Sequence, residues 1–493
     1  MSTNHGVNVS EVPTGVRPPV RISAGLPVFV GTAPINLGDL TAVNKPILCY
    51  GINEFVAKFG SYKTAAPWSQ FTLLEAAKAV FAIYGVAPAV FINVLDPTNA
   101  DHVANARGET HLIGADGTVE LQTYGAPDVS TQGILKSTVV VKKSGTAKVL
   151  GTDYTLAFSA TGALVLTVKA GGSLTAGDTI AVDFDYLDPS GVTAADIIGG
   201  YDSGAYTGLE VVEQVFPRLR MVPGFLVAPK WSQDPTVAAR MKTIARSING
   251  TFRAMACVDL STDPGEIATY ADAPAWKSDN GYTSEDQLVT WGNAKFGDDT
   301  YHLSTVASCV ANVVDAARNG IPYASPSNNS VSASALVLDD GSEVFLTGPQ
   351  ANALNAQGIA TLLNTANGWK LWGNRTGGYP SNTDPKDAFI PIRRMFNWMG
   401  NTIILTVQRD VDQPGNRRLI DGVIGTVQSW VNSLVAQGAL VGDATIEFRE
   451  DENNVTDMAD GKYVFHVTAT PPSPAEQLDF QVEYDPAALA SLF

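Results

Sequence analysis

The feature that most constrains the fold is a long amphipathic segment in the last quarter of the sequence. From Arg417 onward, apolar residues follow the i, i+3, i+4, i+7 spacing of a helix with one buried face. Asn416 can cap this helix, and Gly438 and Gly442 can end it. The positions on the apolar face are Ile420, Val423, Ile424, Val427, Trp430, Val431, Leu434 and Val435.

Runs that alternate apolar and polar residues follow this helix, and such alternation is typical of half-buried strands. An earlier run, 401–409 (NTIILTVQR), is rich in β-branched residues and is also predicted to be a strand. Together these patterns predict a compact α+β unit in which an antiparallel sheet lies under a helix. The alternating apolar positions are Ile446 and Phe448, then Tyr463, Phe465 and Val467, and finally Leu478, Phe480, Val482 and Tyr484.

The last run is set apart by the proline-rich connector PPSPAEQ. Pro471, Pro472 and Pro474 make this connector stiff and extended. A strand pattern on a stiff arm suits pairing with the sheet edge of another subunit. The residues alone leave the alternative open, in which the run is an edge strand that returns to its own domain.

Composition limits the kind of protein that this chain can be. Its 493 residues correspond to about three domains. Charged residues make up 16%, below the ~25% of ordinary soluble domains, and this favours a surface partly covered by identical neighbours. The net charge of −17 argues against a nucleic-acid partner, because duplex binding needs a concentrated cationic surface.

Several smaller features have ordinary structural interpretations. Two pairs of adjacent arginines, Arg393-Arg394 and Arg417-Arg418, are expected to form local salt bridges with acidic residues, with a docking patch as the alternative.

The sequence start lacks the apolar core of a signal peptide, and no run approaches the ~18 apolar residues of a membrane span. Widely spaced cysteines without a CxxC motif are expected to be buried, reduced thiols of a protein made in a cytoplasm; they are Cys49, Cys257 and Cys309.

The order of these patterns predicts a mixed α+β and α/β multidomain protein with extended arms. A disordered terminus is the alternative to an N-terminal arm, in which Val7, Val9 and Val12 form a short extended run. The predicted parts are an N-terminal arm (1–23), an α/β segment of the core (24–95), an inserted all-β outer domain (96–195), an α/β core domain (196–375), a C-terminal α+β assembly domain (376–470) and a C-terminal arm (471–493).

Within the core, short apolar runs predict buried strands and longer periodic runs predict helices. The predicted strands are 26–33, 45–48, 89–95, the GFLVAP and FRAMACVDL runs, and 368–372. The predicted helices are 71–85, 235–248, 306–320 and a short one at 359–363.

The sequence carries no recognisable catalytic motif. It has no GxxxxGK[ST] loop, no GxGxxG after a strand, no HExxH and no GxSxG. The acidic stretch 451–461 fails as a calcium loop, because Val455 stands where an oxygen ligand is needed, and it is interpreted as a solvated loop. We therefore expect a protein that is not an enzyme and that binds no metal or cofactor; an enzyme with an unrecognised site is the remaining alternative.

Several segments, in the right order, resemble the tail sheath proteins of contractile phages. They are HGVNVSEVPTGVRPP, PVFVGTAP, FVAKFG with TLLEAAKAVFAIYG, GGYDSGAYTGLEVVEQVFPRLRMVPGFLVAP, GWKLWGNRT, FIPIRRMFNWMGNTI and FHVTATPPSPAEQLDFQVEYD. The resemblance covers both ends and the middle, and it is least specific over 96–195.

This resemblance implies a structural subunit that polymerises helically around an inner tail tube. The implied sheath then contracts to drive the tube through a host envelope for viral genome ejection. It implies a virion component assembled in the host cytoplasm, with the tube, baseplate and tail terminator proteins as partners and no direct membrane insertion. The sheath of a phage-like bacteriocin or a type VI secretion device is the alternative.

The family also implies which residues exchange strands between subunits. Val7, Val9 and Val12 would lie in the N-terminal arm, and Leu478, Phe480, Val482 and Tyr484 in the C-terminal arm. Arg417 and Arg418, at the start of the long helix, are the candidates for facing the tube. The receiving sheet would contain Ile446, Phe448, Tyr463, Phe465 and Val467.

Overall fold

The computed structural model describes residues 24–61, 70–122 and 133–492. The predicted N-terminal arm, with Val7, Val9 and Val12, lies outside the described residues. The predicted mixed α/β architecture with several sheets is confirmed. The precise domain boundaries stay predictions.

The described residues form strands that belong to several separate sheets. The strands are β1 (Pro27–Gly31), β2 (Ile47–Cys49), β3 (Ala89–Asn93), β4 (Val103–Leu112), β5 (Thr118–Glu120), β6 (Val140–Lys143), β7 (Thr146–Ala147), β8 (Tyr154–Phe158), β9 (Leu164–Val168), β10 (Thr179–Leu187), β11 (Tyr201–Asp202), β12 (Ala205–Tyr206), β13 (Phe225–Val227), β14 (Met255–Asp259), β15 (Gln287–Thr290), β16 (Asn293–Phe296), β17 (Asp299–His302), β18 (Ala335–Val337), β19 (Thr361–Thr365), β20 (Gly368–Trp372), β21 (Thr445–Glu447) and β22 (His466–Thr468).

The helices range from single turns to the 20 residues of the longest. They are α1 (Ile52–Phe59), α2 (Thr72–Ala77, continued by a π-helical segment, Lys78–Ile83), α3 (Ala194–Ile198), α4 (Val215–Leu219), α5 (Pro235–Arg246), α6 (Ala273–Asp279), α7 (Leu303–Ala316), α8 (Gly348–Asn355), α9 (Pro385–Ala388), α10 (Ile390–Val407), α11 (Arg417–Ala436) and α12 (Val455–Ala459).

A six-stranded sheet forms the centre of the molecule, in the order β15-β14-β13-β1-β3-β2. Five of its strands are parallel, and the edge strand β2 runs antiparallel to β3. All residues of β1, β3 and β14 are buried, which explains why these strands read as continuous apolar runs. Helices α2, α5 and α7 pack against this sheet. The strand and helix predictions for these segments are confirmed.

An all-β segment lies in sequence between β3 and β13 of the central sheet. Its strands form a four-stranded sheet, β4-β10-β6-β7, and a three-stranded sheet, β5-β9-β8. Their facing side chains make a separate apolar cluster around Phe184, Val182 and Leu166. This agrees with the short strands predicted for the region, and its position on the outside of an assembly stays a prediction.

The predicted strand at 401–409 is wrong, because α10 continues to Val407. The partly buried residues of this run pack on two apolar cores, Ile404 and Leu405 on one and Ile403 and Val407 on the other. This packing outweighs the intrinsic preference of β-branched residues for strands. The hydroxyl of Thr406 donates to the carbonyl of Thr402 at 2.7 Å, which satisfies this buried polar group within the helix.

The short helix predicted at 359–363 is also wrong. Thr361 and Trp372 begin and end a two-stranded antiparallel hairpin of β19 and β20. Ala360 forms a parallel bridge to Thr290, so the chain enters this hairpin as an extension of the central sheet. Pairing with other strands therefore makes this segment extended. Its apolar run is too short for the sequence pattern to distinguish a helix from a strand.

Candidate functional site

The C-terminal helices α10 and α11 form the scaffold of the candidate site. The side chain of Asn416 accepts a hydrogen bond from the amide of Leu419 at 3.1 Å, which confirms the predicted N-cap. Trp430 of α11 packs against Trp398 of α10 with ring centroids 5.7 Å apart. The apolar stripe predicted for α11 thus meets α10 and builds a second apolar core.

A two-stranded antiparallel sheet lies on α11. Strands β21 and β22 pair Ile446 with Val467. The side chain of Gln428 in α11 bonds to two backbone groups at the start of the first strand. The side-chain oxygen of Gln428 accepts from the amide of Ile446 at 3.0 Å, and its nitrogen donates to the carbonyl of Ala444 at 2.8 Å. The helix therefore fixes the position of a small sheet whose strands have three residues each.

The predicted receiving residues lie close together, although not all are in strands. Ile446 and Val467 are in β21 and β22, whereas Phe448, Tyr463 and Phe465 lie just outside them. The ring of Phe448 is 5.5 Å from that of Phe465 and 6.3 Å from that of Tyr463, centroid to centroid. The alternating pattern thus overestimated strand length, and the receiving role of these residues stays a prediction.

An apolar groove opens between α10, α11 and this small sheet. Its volume is about 530 Å³, and Ile446, Tyr463, Phe465 and Val467 line it from the sheet side. The helices and the loop between them add the apolar residues Ile403, Val407, Val411, Leu419, Ile420, Val423 and Val427, and the loop also places Asp410, Asp412 and Gln413 at the groove. Four of the five predicted receiving residues therefore face one open apolar surface.

The C-terminal segment leaves this sheet and does not return to it. Phe480 is 86% exposed and Val482 is 95% exposed, and Leu478 and Tyr484 are exposed as well. No strand pairing involves 478–484 within the part of the chain that the structure describes. Among the described residues this segment therefore forms no edge strand of its own domain, and its exchange with a neighbour stays a prediction.

The predicted arginine pairs occupy two different environments. Arg393 and Arg394 are buried and form ion pairs, Arg393 with Asp387 at 3.1 Å and Arg394 with Asp315, as the local salt-bridge prediction stated. Arg417 is exposed and pairs with Asp421 one helical turn away at 3.0 Å. The exposed Arg418 lines a surface depression at the start of α11 that also contains Arg409.

Two buried polar clusters in the central region escaped the sequence predictions. The carboxylate of Asp259, at the end of β14, accepts hydrogen bonds from the hydroxyls of Thr290 (2.7 Å), Ser304 (2.5 Å) and Ser232 (3.2 Å). Ligands of α/β proteins bind at this carboxyl edge of a parallel sheet. Here the carboxylate is satisfied inside the protein, and this arrangement braces β14, β15 and α7 instead of presenting a reactive group.

The second buried cluster pairs a histidine with a carboxylate. The ring Nδ1 of His302 lies 2.8 Å from Glu75, which also accepts from the backbone amide of His302 at 2.7 Å. Burial alone would lower the pKa of His302, but the charge and hydrogen bond of Glu75 outweigh it and raise the pKa to about 9. Little in the sequence indicates that Glu75 and His302 pair, because the two residues are far apart along the chain.

The three cysteines lie in the interior of the protein. Burial raises the pKa of all three cysteine thiols, Cys49, Cys257 and Cys309, which are buried and unbridged as predicted. In the described ranges, no group of three or more acidic, histidine or cysteine side chains could hold a metal ion. None of the described helices is long and apolar enough to cross a membrane.

Comparison with known proteins finds relatives along the whole chain. The tail sheath protein of Burkholderia phage BcepMu is 28% identical over 501 residues, covering 99% of this chain and 98% of the relative. The tail sheath protein of Escherichia phage P2 is 26% identical, covering 61% of this chain and 73% of the relative. No family model matches the sequence.

A similar fold occurs in a solved contractile assembly. The sheath complex of an extracellular contractile injection system, PVC, in its contracted state, has a TM-score of 0.58 at 15% identity, with 99% of each chain covered. The resemblance to contractile tail sheath proteins that the sequence segments indicated is therefore confirmed.

Proposed function

We infer from this full-length similarity that the chain is the structural subunit of a contractile tail sheath. It polymerises helically around an inner tail tube and contracts to drive the tube through a host envelope. Its partners are other copies of itself, the tube, the baseplate and the terminator proteins. The finished protein is part of the tail of a virion and is assembled in the host cytoplasm.

One observation supports this function most strongly, namely the coexistence of an exposed apolar segment and an open apolar groove on one subunit. Phe480 and Val482 point into solvent, while the groove beside Ile446 and Val467 is unfilled by the subunit's own tail. Exposed apolar surface of this kind marks an interaction site. The simplest arrangement that covers both surfaces passes the tail of one subunit to the sheet of the next.

The energetics of such an exchange suit a lattice more than a dimer. One added strand with about five backbone hydrogen bonds, at ~1 kcal/mol net each, is modest alone. Each subunit makes this contact repeatedly with its neighbours in a lattice, so that small terms sum to a stable assembly. The tails can stay paired while the subunit bodies rotate, which allows the lattice to shorten without falling apart.

A phage-like injection device is the second candidate, and the similarity to the PVC sheath favours keeping it. The sheath function is common to both, and the two differ in what the tube carries. A capsid gene beside the gene for this chain would indicate a phage, and its absence would indicate an injection device.

Electron microscopy of the purified protein tests the proposal. We expect hollow, striated cylinders at high concentration, or when the cognate tube protein is added as a nucleus. A strictly monomeric protein that ignores the cognate tube would contradict the sheath function. Turnover of a small substrate by such a monomer would favour the enzyme alternative instead.

A further inference from the structure

One ion pair joins the C-terminal segment to its own subunit beyond the buried Pro471 at the start of the connector. The guanidinium of Arg375 donates to both carboxylate oxygens of Glu476, from Nε at 3.0 Å and from a terminal nitrogen at 2.5 Å. The guanidinium carbon lies 3.9 Å from the ring centroid of Phe389 and 4.5 Å from that of Tyr379. Two parallel charge-assisted bonds with aromatic contacts make a directional, partly desolvated pair.

The body side of this pair is rigid. Arg375 forms a backbone bridge with Phe389, and the amide of Thr376 donates to the carbonyl of Ala388 at 3.0 Å. The buried ammonium of Lys277 donates to the carbonyl of Tyr379 at 3.2 Å and holds the loop that carries this ring. The guanidinium is therefore presented at a fixed place, and the glutamate is the partner that must come to it.

The tail side has few other attachments. Among the described residues, the hydrogen bonds and ion pairs that the structure assigns to 471–485 join it to the body through Glu476, while Gln477 and Asp479 bond to each other. The exposed apolar positions begin two residues after Glu476, at Leu478. The direction in which these positions leave the subunit thus depends on where Glu476 is held.

The connector is long enough to let the tail fold back on its own subunit, and the attachment at Glu476 opposes this. Seven residues separate Thr470 from Leu478 and can span roughly 25 Å, which is more than a chain needs to fold back beside β22. A tail that folded back would cover its own sheet edge and compete with a neighbour's tail for the same groove. The prolines restrict this return, and a fixed Glu476 restricts it further.

We propose that Arg375 and Glu476 form a clasp that directs the C-terminal segment away from its own sheet and towards a neighbouring subunit. The clasp does not itself cross between subunits. It fixes the point at which the exchanged strand leaves the subunit and the direction that the strand takes. Arg375 and Glu476 are therefore positioning residues for assembly. This proposal rests on the sheath function and adds to it the device that favours exchange over self-pairing.

The test uses the full chain with Glu476→Gln, Arg375→Gln and the reversed pair Arg375→Glu with Glu476→Arg. Lys462→Gln is the matched control, because it removes a long, exposed ion pair to Asp457 in the same domain. Asp479→Cys, labelled with a nitroxide, reports the motion of the tail in the monomer. The three native cysteines are buried and do not compete for the label.

We expect each single variant to loosen the label in the monomer and to raise the concentration needed for assembly about tenfold or more. The reversed pair should restore both properties in part, and Lys462→Gln should change neither. Unchanged label motion in both single variants would overturn the clasp, as would unchanged assembly. If even the wild-type chain forms no sheath with its tube, the sheath function fails, whereas the label still decides whether the clasp exists.

Discussion

Arg394 of α10 donates two hydrogen bonds to Asp315 of α7, one of them at 3.2 Å, and both side chains are buried. The guanidinium of Arg394 also lies 4.4 Å from the ring centroid of Phe225 in the central sheet. Nearby, the side chain of Asn401 bonds both the amide (2.9 Å) and the carbonyl (2.7 Å) of Arg253. The C-terminal helices are thus joined to the central region by buried and partly buried polar contacts, which favours movement of the two as one body.

Removing the carboxylate of this pair should be costly. In Asp315→Asn, Arg394 stays buried without a counter-charge, and we expect the free energy of unfolding to fall by about 3–5 kcal/mol. Urea unfolding followed by circular dichroism measures the change. Asp421→Asn removes an exposed pair and should cost about 0–1 kcal/mol. Equal losses in the two variants would contradict the structural importance of the Asp315 pair.

The pair of His302 and Glu75 should make stability depend on pH. The pKa of His302 is about 9 in the folded protein, above its ordinary value of 6.5, so the pair stabilises the fold fully below about pH 6.5. That stabilisation should be lost as the pH rises through about 9. The free energy of unfolding in urea is measured for the wild type and for His302→Gln at each pH. The difference between the two proteins removes the contribution of the other titrating groups. A difference that does not shrink between these pH values would contradict the pairing.

A charge in the exposed tail should block assembly without harming the subunit. Val482 is 95% exposed, so Val482→Asp should change the free energy of unfolding by less than about 0.5 kcal/mol. If this side chain enters a neighbour's groove, the buried carboxylate should prevent sheath formation. Sedimentation and electron microscopy measure assembly. Glu483→Gln, on the opposite side of the alternating run, is the control and should assemble; normal sheaths from Val482→Asp would refute tail exchange.

We expect the exposed start of α11 to contribute to binding of the tube and not to contacts between sheath subunits. Arg417→Glu with Arg418→Glu reverses two exposed charges, and we expect weaker co-sedimentation with the tube while sheath contacts persist. Salt should weaken the wild-type interaction in the same direction, because exposed charges are screened. Lys462→Glu serves as the control for a general change in net charge. Unchanged tube binding would exclude this surface as the tube face.

Much of the candidate site was predictable from local patterns. The 3.6-residue periodicity that follows Asn416 identified α11, its cap and its buried face, because these depend on side chains within one or two turns. The alternation from Ile446 to Val467 located the small sheet but not its extent. Phe448 and Phe465 contact each other beside the strands and not within them, and neighbouring side chains alone cannot indicate where pairing stops.

The sequence by itself determined the apolar central strands, the amphipathic helices and the proline-stiffened tail, since each of these follows from the spacing of residues close together in the chain. Only the tertiary structure decided that the β-branched run after Asn401 is helical, because its packing against two apolar cores outweighs its intrinsic preference. It also decided the pairs that join distant segments, such as His302 with Glu75 and Arg375 with Glu476. The physical reason is the same in each case: partners separated by about a hundred residues or more meet only after the chain has folded.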